Sequence, residues 1–252
     1  MTFDQVLLAA AAFGAGVLNS IAGGGTFLTF PALVYTGVPV VAANATSAVA
    51  VFPGYLGAIG GFRKEITQFE RSRLMKITLL TIVGGLVGSL LLLVSSNQAF
   101  SVVVPFLLAM ATLAFTFGGH IRRWLADHSD SYSNSPLSIV FVAVYGGYFN
   151  GGLGIVLLAL FSLWGMRDLN LMNGLKNLVS FIISAISVAT FAAAGIVAWQ
   201  PAILMAVAAA IGGYMGAPLA RVLPVTVVRT IVILVGSVLS VVFFHRAFFA
   251  IG

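Results

Sequence analysis

Apolar residues in this chain fill runs long enough to cross a bilayer, and polar or turn-rich breaks divide them into eight segments. The segments cover about 4–36, 40–61, 74–94, 99–119, 137–163, 169–197, 201–220 and 224–249. Unbroken apolar runs of ~20 residues predict membrane helices, whereas an outer-membrane barrel shows alternation over ~10-residue stretches. The expected fold class is an all-α polytopic membrane protein. The start, MTFDQVLLAAAAFGAGVLNS, carries Asp4, lacks a basic leader and runs on into more apolar sequence. It reads as the first membrane segment and not as a cleaved signal peptide.

Two interruptions are strongly polar: the charged loop RKEITQFERSR at 63–73 and the linker HIRRWLADHSDSYSNSP at 120–136. The linker separates a first transmembrane repeat, 1–119, from a second, 137–252. A shift of 129 positions places Gly23 on Gly152, Gly25 on Gly154, Asn44 on Asn173 and Ser47 on Lys176 without a gap. That correspondence implies an internal duplication. In each half a glycine-rich stretch, NSIAGGGTFLTFP or NGGLGIVLL, interrupts the first apolar segment. Glycine-broken segments at matching places in two halves point to a transporter's substrate site, because a broken helix presents backbone amides within the membrane. Close helix packing is the competing explanation, and it is the reading for GGLVG at 84–88 and GGYMG at 212–216.

The placement of basic residues bears on topology. If every segment crosses once, Arg63, Lys64, Arg71, Arg73, Lys76, Arg122, Arg123 and Arg246 share one side while Arg167, Arg221 and Arg229 oppose them. If the glycine-broken first segment of each half instead re-enters and returns, Arg167, Arg221 and Arg229 join the majority and only Arg246 opposes it. The second arrangement follows the positive-inside rule better and makes the halves inverted repeats with three ordinary crossings each. The first segment, at 33 residues, also exceeds the ~20 needed to cross once.

One charge lies within an apolar run. At 100° per residue, Lys176 shares a helix face with Asn170, Asn173, Asn177, Ser180, Ser184 and Ser187. A lysine near a membrane helix centre costs about 2.5–3.5 kcal/mol on insertion scales, so it reads as functional unless it snorkels to the interface. The six acids, Asp4, Glu65, Glu70, Asp127, Asp130 and Asp168, all fall in loops or at segment ends. A core with a lysine, hydroxyls, amides and no carboxylate suits an anion better than a cation.

Composition sharpens the picture by exclusion. The chain is 60% hydrophobic and 7% charged with a mean hydropathy of +1.12, far from soluble domains. Its net charge of +6 arises in short loops, as the positive-inside rule requires, and does not imply nucleic acid. No cysteine is present, and His120, His128 and His245 lie in loops or near the C-terminus. No nucleophile, acid pair or metal motif is apparent, so neither an enzyme nor a cofactor is expected. Trp124, Trp164 and Trp199 sit at segment ends like interface anchors.

The stretch GVLNSIAGGGTFLTFPALVYTGVPVVAANATSAVAV, with its second copy GGYFNGGLGIVLLALFSLWGMRDLNLMNGLKNLVSF, resembles the TauE/SafE family of membrane permeases, the sulfite exporters, over essentially the whole chain. The resemblance implies export of small sulfur-containing anions such as sulfite or sulfoacetate across the cytoplasmic membrane. The second copy has Leu175 where the first has Thr46, so the copies need not act equally. The expected site lies where the two breaks meet the segments carrying Asn44 and Asn173. Lys176 supplies the charge, and Asn44, Thr46, Ser47, Asn173 and Asn177 donate hydrogen bonds. Amides of Gly23, Gly24, Gly25, Gly152 and Gly154 complete the cradle. The expected partners are a small anion, membrane lipids and a proton taken up with the anion, with a homo-oligomer left open. An anion channel and a non-transporting accessory subunit are the alternatives.

Overall fold

The computed structural model describes residues 2–21, 24–128, 136–222 and 225–249. Eleven helices make up its regular structure: α1 (Phe3–Ile21), α2 (Thr26–Tyr35), α3 (Val40–Gly61), α4 (Arg63–Gln68), α5 (Arg71–Val94), α6 (Asn97–His128), α7 (Pro136–Tyr148), α8 (Leu153–Leu163), α9 (Leu169–Ala193), α10 (Trp199–Val222) and α11 (Val225–Phe248). Among the described residues, Arg71–Val94, Asn97–Ala114 and Leu169–Ala193 are long and apolar enough to cross a membrane. Outward side chains such as Leu79, Val83 and Leu90 on α5 are large, apolar and exposed, as a lipid-facing surface requires.

Eight expected segments become eleven helices for two reasons. The glycine-rich stretches do break the first segment of each half, into α1 and α2 and into α7 and α8. The charged stretch read as a loop at 63–73 contains the helix α4, with Glu65 in its first turn. This short helix is held by tertiary contact, since a Cβ at Gly174 would stand 3.1 Å from both Phe62 Cβ and Ile66 Cγ1. At the other polar stretch, α6 continues through His128, nine residues into the span read as linker, and residues 129–135 lie outside those described.

The helices pack as two related sets. Pairing α1 with α7, α2 with α8, α3 with α9, α5 with α10 and α6 with α11 maps most of the strong contacts onto one another. Thus α1 packs on α10 as α7 packs on α5, and α3 packs on α10 as α9 packs on α5. The two α3 and α9 helices meet directly, and Phe52 stacks on Phe181, its counterpart 129 positions on, with centroids 5.2 Å apart at 16°.

Glycines make the two main crossings close. A Cβ at Gly16 would lie 2.1 Å from Ala209 O, and one at Gly212 would lie 2.1 Å from Phe13 O. On the related crossing, a Cβ at Gly88 would lie 2.1 Å from Val144 O and one at Gly147 would lie 2.4 Å from Gly85 O. These distances leave no room for a side chain, so the glycines of both third segments serve close packing, as their sequence implied.

Three contacts show which helix ends share a side. Arg73, starting α5, stands 5.7 Å from the Trp164 ring at the end of α8. Val41 N, starting α3, donates to Asn97 Oδ1 at the start of α6 (3.1 Å). Ala198 N, before α10, donates to Thr46 Oγ1 on α3 (3.0 Å).

Gly88→Val is expected to destabilise the protein by about 2 kcal/mol or more through forced separation of α5 and α7. Gly54→Ala, where an added Cβ meets nothing within 4 Å, is expected to be nearly neutral. Thermal melting of the detergent-solubilised variants distinguishes the two.

Candidate functional site

The polar stripe expected on one helix lies on α9. Asp168 fixes its start by accepting from Asn170 N (2.8 Å) and Leu171 N (3.3 Å), an N-cap that sets the register of everything after it. Asn170 is exposed, Asn173 half-buried, and Lys176, Asn177, Ser180, Ser184 and Ser187 are buried. The opposite prospect, a lysine reaching out to the interface, is not what the helix shows: Lys176 is 6% exposed. Its Nζ donates to Asn173 Oδ1 (3.2 Å), and Asn173 Nδ2 in turn donates to Leu169 O (2.9 Å). No carboxylate pairs with Lys176 among the described residues. Asn177, next to the lysine on α9, is buried as well.

The corresponding face of α3 is differently employed. Asn44 Nδ2 donates to Tyr148 O (2.8 Å), the last carbonyl of α7. Thr46 Oγ1 receives Ala198 N, and Ser47 Oγ shares a 2.6 Å hydrogen bond with Thr29 Oγ1 on α2. All three side chains thus take part in bonds that join helices, Asn44 as donor and Thr46 as acceptor.

The two breaks come together. At the first, Gly24 is buried with φ 93°, and Gly25 N donates to Asn19 Oδ1 (2.8 Å) before α2 begins. Gly23 lies outside the described residues. At the second, Asn150 (φ 59°) and Gly152 (φ 70°) turn the chain through left-handed backbone, and Gly154 follows in the first turn of α8. A Cβ at Gly152 would stand 2.8 Å from Ala111 Cβ and 3.7 Å from the ring of Phe27 on α2. The Phe30 ring of α2 is 5.8 Å from that of Phe149 in the second break. Helices α2 and α8 therefore begin near one another, and tight turns take up their first amides: Phe27 N and Leu28 N donate to Gly24 O and Gly25 O, and Leu153 N and Ile155 N to Asn150 O and Gly152 O.

Two residues outside the expected set build these turns. Asn19 closes the first break, and Asn150 joins the second to α9 by donating from Nδ2 to Ser184 Oγ (3.3 Å). A signal was available for both, since each is an asparagine at the edge of a glycine-rich stretch, where left-handed backbone and local hydrogen bonds favour that residue. No group of three or more His, Cys, Asp or Glu able to hold a metal occurs among the described residues. A cavity of about 270 Å³ opens beside the start of α9, lined by Glu65, Gln68, Glu70, Arg73 and Asp168 with Phe69 and Leu171. Its mixed charge contrasts with the α9 stripe, where an unpaired cation among neutral donors is an arrangement that attracts an anion.

Comparison with known proteins agrees with these features. The family model described as sulfite exporter TauE/SafE matches residues 8–243. A protein of Haemophilus influenzae named "Probable membrane transporter protein" is 27% identical over 242 residues, covering 90% of this chain and 89% of its own length. The "Probable membrane transporter protein ORF9" of a Sinorhizobium species is 24% identical over 242 residues, covering 92% and 88%. The "Probable membrane transporter protein YfcA" of Escherichia coli K12 is 25% identical over 237 residues, covering 90% and 84%. No solved structure gives a significant match.

A buried, unpaired ammonium weakens a membrane fold. Lys176→Met, of similar length and apolar, is expected to raise stability by about 1–3 kcal/mol, read as a higher melting temperature of the ligand-free protein. A lower melting temperature would mean that Lys176 serves the fold.

Proposed function

This chain belongs to the sulfite exporter TauE/SafE family, and we propose that it is a secondary transporter exporting small sulfur-containing anions such as sulfite or sulfoacetate through the cytoplasmic membrane. The observation that carries this reading is Lys176: buried, without a carboxylate partner among the described residues, and at the head of a buried polar stripe. A cation placed so is unfavourable until an anion neutralises it, which makes the lysine a reason for the anion to be there. Asn173 and Asn177 supply hydrogen bonds around the charge. The positive ends of α2 and α8, near Gly24, Gly25, Gly152 and Gly154, add a favourable field from the breaks. Asn44, Thr46 and Ser47 hold the surrounding helices in place.

The reading includes inverted repeats. The approach of Arg73 to Trp164 supports a common side for the 62–76 and 164–168 connections, which requires α7 and α8 together to enter and return. The pairwise correspondence of helix contacts supports the same arrangement. Each half then crosses three times, through α3, α5 and α6 or through α9, α10 and α11, so the halves have opposite orientation. Rocking of one set against the other would expose the stripe to the two sides in turn. The stacked Phe52 and Phe181, each near the middle of its helix, favour this over an open pore, since an apolar pair there interrupts a water-filled path.

Reconstituted protein is expected to show saturable sulfite flux that Lys176→Gln reduces by a factor of ten or more. Undiminished flux would remove Lys176 from the site, and absence of flux for sulfite, sulfoacetate, sulfate and chloride would remove the transport function. Because the chain has no cysteine, topology can be read directly. Cysteines placed at Lys64 and Arg167 are expected to react with an impermeant reagent from the same side, and reaction from opposite sides would exclude the re-entrant arrangement.

A further inference from the structure

The Asn150 side chain has a hydrogen-bonding capacity that the fold leaves unused. It is 8% exposed and occupies left-handed backbone that few non-glycine residues adopt. Nδ2 is spent on Ser184 Oγ, but Oδ1 is buried with no partner. The Tyr55 hydroxyl of α3 lies beside this amide without forming an aligned bond to Oδ1. One turn beyond Ser184, the Ser187 hydroxyl is also buried and unpartnered. Buried polar atoms are paired in the great majority of cases, so two unpaired ones around Ser184 ask for a ligand or a water.

Distance separates this cluster from the lysine. Ser184 stands eight residues beyond Lys176, about 12 Å along the helix, too far for one small anion to touch both. An anion leaving Lys176 therefore meets a neutral group that combines hydroxyl donors with a free amide oxygen. A fully deprotonated oxyanion brings only acceptors, and these would face Oδ1 acceptor to acceptor. An oxyanion that retains a hydroxyl can donate to Oδ1 while its other oxygens accept from the two serines.

We propose that Asn150, Ser184 and Ser187 form a second, uncharged station on the transport path, which takes a monoprotonated oxyanion such as hydrogensulfite in preference to anions lacking a hydroxyl. This rests on the anion-transporter reading above. It also fits the charge: the single cation of the stripe balances a single negative charge.

The test compares hydrogensulfite with methanesulfinate, a pyramidal monoanion of similar shape in which a methyl replaces the hydroxyl, in proteoliposomes at one mildly acidic pH. Native protein is expected to favour hydrogensulfite about tenfold, because the analogue leaves Oδ1 unpaired. Asn150→Gly keeps access to the left-handed backbone and removes the amide, and it is expected to bring the ratio close to one while methanesulfinate still moves. Ser187→Ala removes a donor that both anions use, so it is expected to slow both alike and leave the ratio unchanged; it serves if the glycine variant does not fold, and unaltered flux of both anions in it would overturn the station. Equal use of the two anions by native protein would overturn the station and leave anion transport standing, with a water only at Oδ1. Retained preference in folded Asn150→Gly would overturn it as well. Movement of neither anion, by contrast, would overturn the transporter reading.

Discussion

In a bilayer, a break in a helix exposes amides and carbonyls that no solvent can satisfy, and this fold is organised around two such breaks. Their backbone groups are answered by side chains. Asn19 Oδ1 takes the Gly25 amide, Asn44 Nδ2 covers the Tyr148 carbonyl, and the Tyr145 hydroxyl donates to Gly151 O. The Asn44 contact spans 104 positions and ties the first half to the break of the second. A break can therefore persist only where the partner half is docked beside it. The same constraint keeps α2 and α8 inside, against α3, α6 and α9, with their short lengths hidden from lipid.

Close helix crossings make that docking firm. Backbone meets backbone where α1 crosses α10 and where α5 crosses α7, through Gly16 and Gly212 on one side and Gly88 and Gly147 on the other. Each crossing joins a helix of one half to a helix of the other, so neither half is a separate packing unit. Without a hydrophobic effect between helices in lipid, such close approach supplies the association through dispersion contacts. The core of the protein is correspondingly apolar around Phe30, Phe100 and Phe149, and the polar groups concentrate on α9 and at the breaks.

Much of this was legible in the sequence, and the limits follow from what sequence carries. The helical class, the breaks and the α9 stripe all rest on local periodicity or on glycine, which act over a few residues. Helix α4 escaped notice because six residues with a charged pattern are not helical by themselves, and contact with Gly174 decides their state. The part played by Asn44, Thr46 and Ser47 escaped for a related reason. Their chemistry as donors was plain, but whether a donor is free or already committed depends on Tyr148, Ala198 and Thr29, which no spacing brings into view. Asn150 was passed over because the surrounding glycines drew the attention, although the single non-glycine residue at positive φ in the described chain is this one.

The duplication has been put to unequal use. Ser47 and Lys176 occupy the same place in their copies, as do Tyr55 and Ser184, yet in each pair the second copy alone belongs to the buried stripe. In the first copy, the face is spent on joining helices: Ser47 to α2, Thr46 to the start of α10, Asn44 to the end of α7. A strictly symmetric pair would have placed two lysines across the α3 and α9 contact, with mutual repulsion in a medium that screens charge poorly. One lysine avoids that cost. The copy without the lysine carries instead the hydrogen bonds by which Asn44, Thr46 and Ser47 join helices, so the bonds that tie the helices and the buried charge lie in different halves.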